Sequence, residues 1–60
     1  MNETKELILN AIATLSNKYP QQRLGQLIYN YILTQCPNGD PFYIKDEKLL
    51  AIVEQEIKKN

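Results

Sequence analysis

Three prolines, Pro20, Pro37 and Pro41, decide where this chain can be helical. Proline lacks an amide hydrogen and its ring clashes with the preceding turn, so inside a helix it costs about 3 kcal/mol. It also pushes the residue before it towards extended backbone. In a chain of 60 residues this leaves one long stretch before Pro20, one between Pro20 and Pro37, and one after Pro41.

Each stretch carries apolar residues at helical spacing. Ile8, Ala11, Ile12 and Leu15 follow the i, i+3, i+4, i+7 pattern, with Leu7 beside them and Tyr19 a turn further on. The spacing predicts a first helix from about Thr4 to Lys18. Asn2 or Thr4 can cap its start, and Glu3 and Glu6 suit the positive end of its dipole. Pro20 fits the first turn of a second helix, from about Gln21 to Gln35. There Leu24, Leu27, Ile28, Tyr31 and Gln35 share one face, with Ile32 at its edge. Tyr29 and Leu33 point the other way, alongside Gln22 and Gln26. Gly25 lies at a flank, where it costs about 1 kcal/mol against alanine unless another backbone packs on it. A third helix is predicted from Glu47 to about Lys58, capped by Asp46, with Leu49, Leu50, Val53 and Ile57 as its stripe, Ile52 flanking, and Glu54 and Lys58 spaced to pair.

The connection Cys36-Pro37-Asn38-Gly39-Asp40-Pro41 reads as a loop. Asn38-Gly39 tolerates positive φ. Asp40 followed by proline predicts a single helical turn across Pro41-Phe42-Tyr43, with a short extended piece, Tyr43-Ile44-Lys45, as the competing reading. The fold expected is therefore all-α: one domain, a small three-helix bundle with this aromatic loop over one end. Tyr19, Tyr31 and Phe42 are expected in the core, Phe42 as the plug of the open end, while Tyr43 and Tyr29 are expected to be partly exposed.

A chain this short obtains about 3–5 kcal/mol from its core and needs some supplement. Cys36 stands alone, so an internal disulfide is excluded, and with no histidine a structural zinc site lacks ligands. Self-association is the remaining supplement, and a homodimer is expected. Seven basic and seven acidic residues leave no net charge, whereas a nucleic-acid binder draws most of its affinity from a basic patch. The longest apolar run, Leu7-Ile8-Leu9, falls far short of the roughly 20 residues that span a bilayer. The polar start Met1-Asn2-Glu3-Thr4-Lys5-Glu6 has no apolar block behind it and does not read as a signal peptide, which makes the cytoplasm the default compartment.

Catalytic equipment is sparse. Cys36 has no histidine to act as its base and sits at a helix C-terminus, where the dipole disfavours negative charge; a structural thiol is the simpler account. Asp40 and Asp46 form a conceivable acid/base pair, but capping explains both. Asn38-Gly39-Asp40 with Glu47 lacks the regular alternation of acids that a calcium loop requires. No cofactor, metal or catalytic residue is expected. The first two helices resemble a helix-turn-helix in outline, yet the second offers one arginine, Arg23, among Gln21, Gln22, Gln26 and Asn30.

The run Tyr19-Pro20-Gln21-Gln22-Arg23-Leu24-Gly25-Gln26-Leu27-Ile28-Tyr29-Asn30, and then Asp40-Pro41-Phe42-Tyr43-Ile44-Lys45-Asp46-Glu47-Lys48-Leu49-Leu50, resembles a group of short uncharacterised bacterial and bacteriophage proteins with the blocks R-[LF]-G-Q-L-[IL]-x-N and D-x-F-Y-x-x-D-x-x-L-L. The resemblance covers about half the chain and implies no activity. Its polar positions imply either a shared partner site or an internal network of Arg23, Gln26, Asn30, Asp40, Phe42 and Asp46 tying the second helix to the loop. The function expected is a non-enzymatic protein–protein interaction module, in keeping with a phage or mobile-element modulator of a host factor. Its contact or dimer surface is expected at Tyr29, Leu33, Gln26 and Tyr43. A helix-turn-helix-like nucleic-acid regulator and a small enzyme subunit using carboxylates or Cys36 stand as the alternatives.

Overall fold

A computed structural model describes residues 2–59, and the fold is all-α, with no strand among them. Helix α1 spans Glu3–Lys18, α2 Leu24–Tyr31 and α3 Asp46–Lys58. One sealed residue from each helix, Leu15, Leu27 and Val53, meets at the centre, and Ile32 and Cys36 from the α2–α3 connection complete the buried cluster. Full burial of an aliphatic side chain of this size contributes about 1.5–3 kcal/mol. Ala11, Ile12, Tyr19, Ile28, Tyr31, Ile44, Leu49 and Ile57 pack around that cluster, half-buried.

The start of α1 is closed by Asn2, whose side chain accepts the Lys5 amide at 2.9 Å. Its end falls before Pro20, where Tyr19 leaves helical backbone. Helices α1 and α3 run parallel. Lys5 of α1 faces Asp46 of α3 at the N-terminal ends, at 3.9 Å. At the other ends the Lys18 ammonium donates to the Glu56 and Ile57 carbonyls, at 2.9 and 3.0 Å, and to the Lys59 carbonyl. Parallel neighbours align their dipoles unfavourably. Lys18 offsets this by placing a cation on the unpaired last carbonyls of α3, as the acids Glu3, Glu6, Asp46 and Glu47 do with the opposite sign at the starts.

Helix α2 is shorter than the Gln21–Gln35 expected. Pro20 does not open it. Instead the Gln22 amide closes a turn on the Tyr19 carbonyl, and Arg23 takes the extended backbone of a helix cap. At the far end Ile32 leaves the α-helical path, and the chain tightens into 3-10 turns at Leu33–Gln35 and Pro37–Gly39. Pro37 holds Cys36 extended and so prevents the helix from continuing. Two residues assigned to the core stripe of this helix, Leu24 at its first position and Gln35 beyond its end, are consequently exposed.

In the α2–α3 connection, Asn38 and Gly39 both take positive φ, 55° and 69°. Pro41-Phe42-Tyr43-Ile44 forms a hydrogen-bonded turn, Ile44 amide to Pro41 carbonyl at 3.1 Å, rather than the helical turn expected. Asp46 is not a cap. Helix α3 starts at Asp46 itself, after Lys45, and the carboxylate serves the helix dipole and faces Lys5. Glu54 and Lys58 are not among the ion pairs of the described residues, and Lys59 pairs with Glu56 at 3.1 Å.

Candidate interaction site

The largest departure from the sequence reading is Phe42. It was expected to plug the bundle, and it is 78% exposed, beside Tyr43 at 89%. The backbone explains why. Phe42 and Tyr43 occupy the two central positions of the turn that begins at Pro41, and central turn residues project away from the chain ends they connect. Ile44, the next residue, packs on the core instead.

The turn holds its rings in place from three directions. Pro41 fixes its own φ. The Asp40 carboxylate accepts the Phe42 amide at 3.0 Å, and the Pro41 carbonyl accepts the Ile44 amide. The rings then brace each other edge to face, with centroids 4.9 Å apart at an interplanar angle of 72°. Edge-to-face contact suits the quadrupoles of two aromatic rings, so neither needs the protein interior to be ordered. Beside them lies a shallow groove of about 280 Å³ lined by Pro37, Asn38, Asp40, Tyr43 and Ile44.

The other residues expected at a contact surface do not gather there. Tyr29 is 62% exposed and Gln26 is exposed, one turn apart on α2. Leu33 is half-buried, because the 3-10 turn carries it off the α2 face it was assigned to. None of these three lines the groove beside Tyr43.

The polar network also has a different destination. The Gln26 side chain accepts the Arg23 amide at 2.7 Å, half of a capping box; a guanidinium has no lone pair with which to complete the other half. Asn30 donates to Gln22 at 3.1 Å, and Gln22 donates to the Tyr31 hydroxyl at 2.7 Å. These bonds tie α2 to the α1–α2 turn, not to the loop of Asp40, Phe42 and Asp46. Larger than the groove at the aromatic turn is one of about 390 Å³ between α2 and α3, which collects Asn30, Gln35, Lys48 and Glu56.

Cys36 belongs to the core, its thiol donating to the Ile32 carbonyl at 3.2 Å. Among the described residues no group of three cysteines or acids is placed to hold a metal, and no helix is long and apolar enough to cross a membrane. Compared with known families, curated proteins and solved structures, the chain matches none.

Phe42 was legible in principle. The Asp-Pro pair predicts a turn whose next residues point outwards, a local signal that competes with the burial an aromatic ring favours.

Proposed function

We propose that this chain is a small non-enzymatic protein-binding module whose contact element is the aromatic turn, with Phe42 and Tyr43 as its anchors. The observation that supports the reading is a pair of large rings left in water on a turn that is already ordered. Aromatic anchors dominate binding energy when a partner desolvates them, and a pre-ordered turn reduces the entropy lost on binding. The resemblance to short bacterial and bacteriophage proteins suits a modulator of a host factor encoded by a phage or mobile element.

The test is affinity capture from native lysate with four baits: the unaltered chain, Phe42→Ala, Tyr43→Ala, and Leu24→Ala as an exposed apolar control. A protein retained by the unaltered chain and by Leu24→Ala, and lost from both ring variants while their helical circular dichroism is unchanged, supports the reading. Identical capture by all four overturns it. Enrichment of nucleic acid that disappears in moderate salt, unaffected by the ring variants, would move the function to the helix-turn-helix alternative.

A further inference from the structure

A second surface lies away from the aromatic turn. Between α1 and α3 runs a groove of about 300 Å³ whose lining, among the described residues, comes from these two helices alone. Leu7, Ala11 and Ile57 supply its apolar bed, and Leu7 is 54% exposed there. Glu54 and Lys58 form its α3 wall. At helical spacing Glu3 stands one turn before Leu7, Glu6 one turn before Asn10 of the α1 wall, and Glu47 two turns before Glu54. We infer that this groove seats a basic amphipathic helix of a protein partner, with its apolar stripe on Leu7, Ala11 and Ile57 and its cations over Glu3, Glu6, Glu47 and Glu54.

Charge selects the occupant. The chain has no net charge, yet its charges are sorted: four of its seven acids border this groove, and among the described residues Lys58 is the one base that lines it. The other lysines of the two helices are placed elsewhere. Lys5 faces Asp46, Lys18 lies on the last carbonyls of α3, Lys59 pairs with Glu56, and Lys48 lines the groove between α2 and α3. Glu3, Glu6, Glu47 and Glu54 are all exposed, and none belongs to an ion pair of the described residues. The starts of α1 and α3 return about half a unit of positive charge each, so the rim stays acidic. A second copy would bring the same acidic rim and be repelled, whereas a basic helix is drawn in.

Backbone chemistry makes that occupant a helix. The described residues contain no strand whose edge an extended peptide could pair with. A helix satisfies its own backbone and asks only for an apolar bed between two others. The Thr14 hydroxyl on the α1 wall is already used, since it donates to the Asn10 carbonyl within the helix at 3.1 Å. Ala11 is short enough to let an incoming helix settle between α1 and α3. The 13 residues of α3 give a bed about 20 Å long, which takes roughly four turns of a partner. None of these residues belongs to the aromatic turn, so the two surfaces stand or fall separately.

The probe is a fluorescein-labelled peptide of about 14 residues, with leucines at i, i+3, i+4, i+7 and i+11 and lysines elsewhere, read by fluorescence anisotropy. The expected dissociation constant is micromolar at about 50 mM salt and weakens as salt rises. Leu7→Gln and Glu54→Lys, both at exposed positions, each weaken binding by about tenfold or more, while Phe42→Ala leaves it unchanged. A peptide of the same composition with its leucines scattered around the helix binds about tenfold less tightly or worse. Absence of binding overturns the inference. So does equal binding of the two peptides, or undiminished affinity in Leu7→Gln, since either would leave only an acidic surface without a seat. Sedimentation equilibrium of the chain alone tests the rival occupant: a dimer that Leu7→Gln dissolves would mean that a second copy fills the groove, and it too overturns the inference. Ring-dependent capture of a protein would in each of these cases leave the contact element at Phe42 and Tyr43 standing.

Discussion

Two aromatic pairs in this molecule have nearly the same separation and opposite surroundings. Tyr19 and Tyr31 stack with centroids 4.8 Å apart, and Phe42 and Tyr43 meet at 4.9 Å. The tyrosine pair comes from the end of α1 and the end of α2, half-buried against the core. Lys18 lies over one ring at 5.5 Å, and Gln22 holds the hydroxyl of the other. The second pair comes from neighbours in the chain, and both rings are in solvent. A contact between segments distant in sequence restrains the fold. A contact between adjacent residues restrains only their own turn. Ring-to-ring distance is thus no guide to what a pair does; chain separation and burial are.

The sharpest way to break this comparison is to remove a ring from the stacked pair. Tyr31→Ala is expected to destabilise by about 2 kcal/mol, below the 3–5 kcal/mol of a fully buried aromatic because Tyr31 is half-buried. In a domain of this size that lowers the melting temperature by roughly 8–16 °C, read by thermal circular dichroism. A loss under about 0.5 kcal/mol would put it with ordinary surface changes and erase the distinction between the pairs.

Next comes Lys18, which closes the same end of the molecule. Lys18→Met keeps the stem and removes the cation from the α3 carbonyls, and it is expected to cost about 1–1.5 kcal/mol in urea unfolding. Faster hydrogen exchange at the C-terminal turn of α3 should accompany it. Unchanged exchange there would mean that the ammonium is not what holds α1 and α3 together at that end.

Gly25→Ala sharpens the comparison from the stabilising side. Gly25 lies in the short helix α2, and a side chain built there would meet nothing within 4 Å. Alanine should therefore add about 0.5–1 kcal/mol by favouring the helix, strengthening the tyrosine end without touching the aromatic turn. If association through the turn strengthened in this variant, the two regions would be coupled, contrary to their separation here.

How much of this was readable beforehand varies by element, for physical reasons. The apolar period and Pro20 placed α1 within a residue, because local rules govern a helix of 16 residues bounded by a proline. The end of α2 was misplaced because the chain leaves the α-helical path at Ile32 and Pro37 holds Cys36 extended, while helical periodicity, which sets Ile32 and Cys36 on one face in any case, does not register the change to 3-10 turns. Asp46 met every local rule for a cap and lost to a helix that began one residue early. Lys18 was invisible, since nothing local says that its ammonium will find carbonyls some 40 positions away. At the candidate site, Tyr43 and Tyr29 were placed outside as found, while Phe42 and Leu33 were each assigned to the wrong side.

The smallest expected effect on stability decides most about the proposed site. Phe42→Ala and Tyr43→Ala should each change folding stability by no more than about 0.5 kcal/mol, the ordinary range for exposed positions. The turn keeps its two backbone bonds in either variant, since Asp40 accepts the Phe42 amide whatever the side chain. Each variant does lose an edge-to-face partner, but both rings are hydrated in the unfolded chain as well, so little burial is forfeited. Urea unfolding at low protein concentration isolates this term from any dimer, whose contribution would grow with concentration. A loss of 3 kcal/mol or more in Phe42→Ala, about what a buried ring gives up, would mean that Phe42 packs into the bundle in solution. The turn would then be a plug with Tyr43 alone outside, and the proposed contact element would lose its central residue.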